Sequence, residues 1–198
     1  MSAHLGKIHT WLYNQIQIID DRNSFLVKNY KKISEKYKES LSDVDITEAL
    51  AGQHIHPGLE SLIIKVQTEE VNIVSDLLEI TSIDELKELY YEHGVKTAKA
   101  EKKSGETIEE IVNALKDIFL ERMPCDRLTQ MDLDEKSGRI IRDAKLHTEF
   151  WIDSEVPVEK MHQLYRAWIQ GALFAINPAV EYEREINGDH YIDLIKVS

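Results

Sequence analysis

A chain of 198 residues with 42% hydrophobic content is long enough for one sizeable core, or for a small module joined to a domain. Its 36 acidic against 24 basic side chains give a formal charge of -12, which argues against nucleic acid and anionic membrane as partners. The single cysteine, Cys125, excludes an internal disulfide and any multi-cysteine metal site, and without a signal peptide or a long apolar run the expectation is a cytoplasmic protein with no membrane insertion.

Residues 4–40 read as helical throughout, with Leu5, Ile8, Leu12, Ile16 and Ile19 on one stripe and Phe25, Leu26, Tyr30, Ile33 and Tyr37 on a second. The polar run Asp20-Asp21-Arg22-Asn23 separates the stripes, so one long helix or two joined at that break both fit. The lysines between Asn29 and Lys38 are interleaved with acid and read as a solvated helix face. A short helix at Ile46-Thr47-Glu48-Ala49-Leu50 follows a capping loop. Gly52 to Gly58, carrying His54 and His56, reads as a loop because glycine and proline flank the histidines, and helix resumes at about Leu59. Ile55 to Leu59 also resembles Ile8 to Leu12, too short a likeness to define a repeat.

Ser82 and Thr107, each followed by acidic residues, predict two further helix starts. Gly94 within the first of these helices marks close packing; Met123-Pro124 is expected to stop the second. The period then changes to two. Leu128, Met131 and Leu133 predict a strand, and Ile140, Ile141, Ala144, Leu146, Thr148 and Phe150 a second one, ended by Trp151 and Ile152. Met161, Leu164, Tyr165, Trp168, Ala172, Ala175 and Ile176 share one face of a helix that ends at Asn177-Pro178. A hairpin follows, turning at Asn187-Gly188, with Ile192, Leu194 and Val197 in its last strand. The order helix, helix, hairpin, helix, hairpin predicts an α+β fold: a helical N-terminal module over 1–79, then an antiparallel sheet of two hairpins with helices packed on one face over 80–198.

Leu89 to Gly94, Ile108 to Met123, Leu164 to Leu173, Val180 to Arg184 and Asn187-Gly188-Asp189 together resemble the 4-vinyl reductase domain over residues 80–198. More distantly they are similar to the TRAPP-subunit fold and to nitric-oxide-sensing haem domains. The resemblance implies a small-molecule-binding or assembly domain, often dimeric, with a pocket between helices and sheet and links to tetrapyrrole handling or sensing. The cysteines common in that family's last hairpin are missing here, so thiol or metal chemistry at those positions does not carry over, and no histidine matches a haem-ligand motif.

Among residues that carry chemistry, Arg184 alternates with Glu181, Glu183 and Glu185 and so shares the apolar side with Val180, Tyr182 and Ile186. An arginine there needs a partner, either an acid in the core or an anionic ligand. The carboxylates of Glu181, Glu183, Glu185, Asp189 and Asp193 read as a solvated face. Tyr90, Phe150, Tyr165, Trp168, Gly171 and Arg184 are the expected ligand-binding residues, on the sheet-facing side of the helix after Val156-Pro157. Zinc at His54 and His56 requires His4, His9 or a carboxylate to join, so no metal and no cofactor are expected. The leading expectation is a homodimeric protein that binds a small hydrophobic or tetrapyrrole-like molecule as sensor or carrier. Its rivals are an enzyme of tetrapyrrole or related metabolism, using Arg184 and a histidine, and a structural interaction module without a ligand.

Overall fold

The structure, a computed structural model, describes residues 5–37, 40–123, 126–152 and 154–197. His4, Lys38, Pro124 and Cys125 lie outside the described residues. The elements run α1 (Lys7–Asn29), α2 (Ile46–Ala49), α3 (Ile55–Leu78), α4 (Ile83–Ala100), α5 (Ile108–Ile118), β1 (Thr129–Leu133), β2 (Ser137–Asp143), α6 (Thr148–Trp151), α7 (Val158–Ile176), β3 (Val180–Asn187) and β4 (His190–Val197). The strands form one antiparallel sheet in the order β1-β2-β4-β3, so the two hairpins meet through β2 and β4. Helices pack on this sheet, and the class is α+β. No described helix is long and apolar enough to cross a membrane.

Helix starts follow from local chemistry. Ser82 accepts from the Glu85 amide while Glu85 reaches back to the Ser82 amide, and Thr107 and Glu110 repeat the exchange. Four boundaries differ from the sequence expectation. First, α1 stops at Asn29, and residues 31–36 are turns rather than helix. Second, α3 begins at Ile55, so His56 and Pro57 lie in its first turn, where a missing proline amide costs no helical hydrogen bond. Third, α5 ends at Ile118; Phe119 turns extended and buries itself in the main core, while Leu120 enters the cluster between α1 and α3.

Fourth, the alternation through Ala144, Leu146 and Phe150 does not extend β2. β2 is paired as far as Asp143, opposite His190 where β4 begins, so no strand remains to pair beyond it. The Asp143 carboxylate then accepts from the Lys145 amide at 2.9 Å and starts a 3-10 turn, Ala144–Leu146, which leads into α6.

The expected boundary at residue 79 is not a gap in the packing. Leu26 and Val27 of α1 and Ile73, Val74 and Leu77 of α3 join Leu86, Tyr90, Leu115, Trp168 and Ile195 in one buried cluster. A second cluster lies between the N-terminal halves of α1 and α3. The segment likeness noted between Ile8–Leu12 and Ile55–Leu59 falls on the N-terminal turns of these two helices, and there His9 Nε2 meets His56 Nε2 at 3.2 Å.

α4 and α7 touch at backbone level. A Cβ on Gly94 would lie 2.1 Å from the Trp168 carbonyl oxygen, and one on Gly171 would lie 2.1 Å from that of Tyr91. Only glycine permits this approach at either position.

The last hairpin also differs in its turn. Asn187 pairs with His190, so the two turn residues are Gly188 and Asp189, with φ +57° at Gly188. This register sets Arg184 opposite Asp193.

Candidate functional site

α7 buries His162, Tyr165 and Trp168; His162 meets Tyr191 of β4, over which Arg184 of β3 lies, while Trp168 packs on the helical side against His93 and Phe119. Two buried polar assemblies lie there, with aromatic rings between them.

The first assembly binds the N-terminal helices to the rest. Arg22 Nη2 lies 2.6 Å from Glu70 Oε1, with both side chains buried. Tyr90 donates to Glu70 Oε1 at 2.8 Å and Tyr165 to Oε2 at 2.7 Å, while Arg22 Nη2 donates to the Tyr165 hydroxyl at 3.0 Å. The guanidinium lies 4.8 Å from the centre of the Tyr165 ring, 5.2 Å from Tyr90 and 5.5 Å from Trp168, all within cation–π range. Burial, then the Glu70 carboxylate, pushes both phenols well above their ordinary range, so they remain donors. Trp168 Nε1 donates to His93 Nδ1 at 2.9 Å, which leaves the His93 proton on Nε2, 3.1 Å from Asp21 Oδ2.

In the second assembly Asp193 is the centre. Arg184 donates through Nε to Oδ1 at 2.7 Å and through Nη2 to Oδ2 at 2.9 Å, Tyr182 donates to Oδ1 at 2.6 Å, and Arg142 Nη1 also donates to Oδ2. Arg142 also reaches Glu121 at 3.1 Å. Burial alone would raise the Asp193 pKa; Arg184 and Arg142 overcome it and hold the carboxyl below its usual range. The acid in the core is therefore the Arg184 partner, and Asp193 does not belong to the solvated face, whereas Glu181, Glu183 and Glu185 are exposed there.

Tyr90, Tyr165 and Trp168 are thus brought together around Arg22. Arg184 lies on the sheet side, its guanidinium 4.6 Å from the Tyr191 ring centre. Phe150 instead packs beneath Arg122, 5.2 Å away. The close approach at Gly171 is made by the Tyr91 carbonyl.

Sequence reading missed His147, His162 and Tyr191, and read Trp151 only as one of the aromatics that pack together. His147 Nδ1 is 2.7 Å from the Tyr191 hydroxyl, and its ring stacks on Trp151 at 5.5 Å. His162 meets Trp151 edge-on at 5.1 Å and Tyr191 at 5.3 Å. Four buried atoms of this group make no hydrogen bond: His147 Nε2, Trp151 Nε1, His162 Nδ1 and Arg184 Nη1. Leaving such groups unpaired in the interior is costly. A cleft of about 520 Å3 reaches His162 and Arg184 from solvent, rimmed by Lys87, Glu159, Arg166 and Gln170. A larger groove of about 970 Å3 runs past Ile8, Trp11, Met123 and Met131, but contains none of these unpaired atoms.

The histidines predict a pH dependence. Burial pushes His93 and His162 down to about 4, and burial followed by the nearby arginines pushes His147 well below its ordinary value. Each is neutral when folded and takes a proton near its ordinary pKa of about 6.5 once unfolded. The unfolded chain then binds more protons, so their contribution is whole above pH 6.5 and is lost progressively as pH falls toward 4. Urea unfolding at pH 7 and pH 4.5 checks this: the midpoint falls at the lower pH, and an unchanged or higher midpoint contradicts it.

Among the described residues no group of three or more histidine, cysteine, aspartate or glutamate side chains is placed to hold a metal ion. The Gly6 amide donates to His9 Nδ1 at 2.9 Å, which places the proton of a neutral His9 on Nε2, toward His56. His4 lies outside the described residues.

Comparison with known proteins adds no relative: no family model matches the chain, and no curated protein matches it significantly.

Proposed function

We propose that this protein binds a small molecule between α7 and the sheet, as a sensor or carrier, in the manner the likeness to the 4-vinyl reductase domain implies. One observation carries the reading. A cleft of about 520 Å3 opens onto His162 and Arg184, whose buried Nδ1 and Nη1 make no hydrogen bond. Pockets for small ligands combine apolar walls with a few convergent polar groups and span about 300–1,000 Å3, a range that includes this cleft.

An enzyme acting on such a molecule is the second reading, favoured by the presence of Arg184 beside two histidines. Binding is preferred because His162, pushed down to about 4 by burial, is a weak base at neutral pH.

Native mass spectrometry of freshly purified protein tests the proposal and reports the oligomeric state at once. A bound mass beyond the polypeptide is expected, and a ligand present at 100 times its Kd stabilises the fold by about 2.7 kcal/mol. A bare polypeptide mass, with no stabilisation by a panel of aromatic and amphipathic compounds, overturns it.

A further inference from the structure

We infer that the free edge of β1 receives an extended, acidic segment of another protein, which adds to the four-stranded sheet as a fifth strand. β1 lies at the opposite end of the sheet order from β3, the strand that borders the small-molecule cleft, so this site is independent of that one.

Register fixes which backbone groups face outward. The Asp143 amide donates to the Leu128 carbonyl at 2.9 Å and the Asp134 amide to the Ser137 carbonyl at 2.8 Å, one bond at each end of the β1–β2 ladder. Hydrogen-bonded pairs recur at every second residue of an antiparallel ladder, so Gln130 and Asp132 spend their amides and carbonyls on β2. Those of Thr129, Met131 and Leu133 point away from it, and β1 is the last strand of the sheet. Among the described residues no backbone group pairs with them. Thr129 Oγ1 is also buried without a partner. A row of outward amides and carbonyls at this spacing is what an added strand pairs with.

This edge opens into the groove of about 970 Å3, where Leu128, Thr129, Gln130 and Met131 all form part of the lining. Successive side chains of a strand point to opposite faces, so consecutive residues share one groove when it runs along the strand edge. Ile8 and Trp11 of α1 give the groove an apolar wall, with Ile8 49% exposed. Its charge reverses that of the chain. Lys7, Lys116, Arg122 and Arg127 stand against Asp117 and Glu121, four basic to two acidic, where the whole chain has 24 to 36. Asp117 is engaged by Lys103 and Trp11, Glu121 by Arg142, and Arg122 by Glu149. Among the described residues Lys7, Lys116 and Arg127 form no ion pair, which leaves three cations for the carboxylates of a guest. The other free edge, β3, exposes Glu181, Glu183 and Glu185 and repels such a segment. A nucleic acid would answer the cations but not the outward backbone groups, whereas an acidic strand answers both.

The probe is a fluorescein-labelled octapeptide of alternating glutamate and valine, with its lysine–valine counterpart as control. Fluorescence anisotropy with the full-length protein is expected to show binding of the acidic peptide alone, weakened about tenfold or more by Lys116→Glu combined with Arg127→Glu. Met131→Pro removes an amide that makes no bond within the sheet, so it abolishes peptide binding and leaves the fold in place. Hydrogen exchange followed by nuclear magnetic resonance reads the pairing in the unaltered protein, whether or not the proline variant folds. The Met131 amide exchanges quickly in the free protein and slows when the unlabelled acidic peptide is added, whereas the Gln130 and Asp132 amides are protected from the start. Peptide binding without protection of Met131 overturns strand addition. Equal binding of the basic peptide overturns the acidic partner, and no binding of the acidic peptide at millimolar concentration overturns the proposal as a whole. Sedimentation of the protein alone covers the remaining occupant: self-association that Met131→Pro abolishes assigns the edge to a second copy of this chain and overturns the proposal too.

Discussion

Asp193→Ala lowers the stability of the fold by about 3–5 kcal/mol, the usual loss when one partner of a buried ion pair is removed. Its carboxylate is fully buried and holds Arg184 and Arg142. Without it, two guanidiniums remain in the interior with only Glu121, on the Arg142 side, to oppose them. Tyr182 loses its acceptor as well. Desolvated charge, rather than lost packing, is the source of the penalty, so Asp193→Asn is expected to lose most of the same stability although it keeps the side-chain shape. Urea unfolding followed by far-ultraviolet circular dichroism measures both; a loss below about 1 kcal/mol for the alanine variant contradicts the account.

Glu70→Ala carries a similar expected loss, about 3–5 kcal/mol, and acts at a different place. Glu70 neutralises Arg22 and accepts from Tyr90 and Tyr165, so its removal strands one charge and two hydroxyls at the junction of α1, α3, α4 and α7. The double variant Arg22→Met with Glu70→Leu tests the cause. Replacing a buried pair by apolar side chains of similar size is often neutral or stabilising, so the double variant should be more stable than Glu70→Ala. If the double variant is as unstable as the single one, packing rather than unpaired charge dominates.

Elements were more legible in the sequence than the polar interior. The capped starts at Ser82 and Thr107 and the change of period after residue 124 expressed local chemistry, which requires no partner. The continuation of β2 was misread because alternation describes a side-chain pattern, whereas a strand also needs a neighbour to pair with, and β4 begins only opposite Asp143. The run Asp20 to Asn23 read as a break because polar residues usually face water. Yet Ile19, Arg22, Asn23 and Leu26 fall on one helical face, as do Val66, Glu70, Ile73 and Leu77 in α3. Two opposite charges set within two apolar stripes were the available signal for the Arg22–Glu70 pair. The Asp193 role required the register, and register depended on a turn at Gly188-Asp189 rather than at Asn187-Gly188. That shift leaves every side chain on the same face while changing the residue opposite Arg184. His147 and Trp151 lie four residues apart while His162 and Tyr191 come from other elements, and only the folded chain joins them.

The reciprocal glycine contacts of α4 and α7 bear on how occupancy of the cleft could be felt elsewhere. Two helices meshed carbonyl against Cα at two points cannot slide along each other, because a displacement of even part of a residue drives an oxygen into backbone. The α7 wall is therefore tied to α4 as a single beam. Through Tyr90 and Tyr165, both hydrogen-bonded to Glu70, that beam is also tied to α3. The opposite wall of the cleft is β3, which carries Arg184 and Ile186 and lies at the edge of the sheet. A message about the cleft would leave the molecule through the sheet edge, while the helical side acts as its fixed frame of reference.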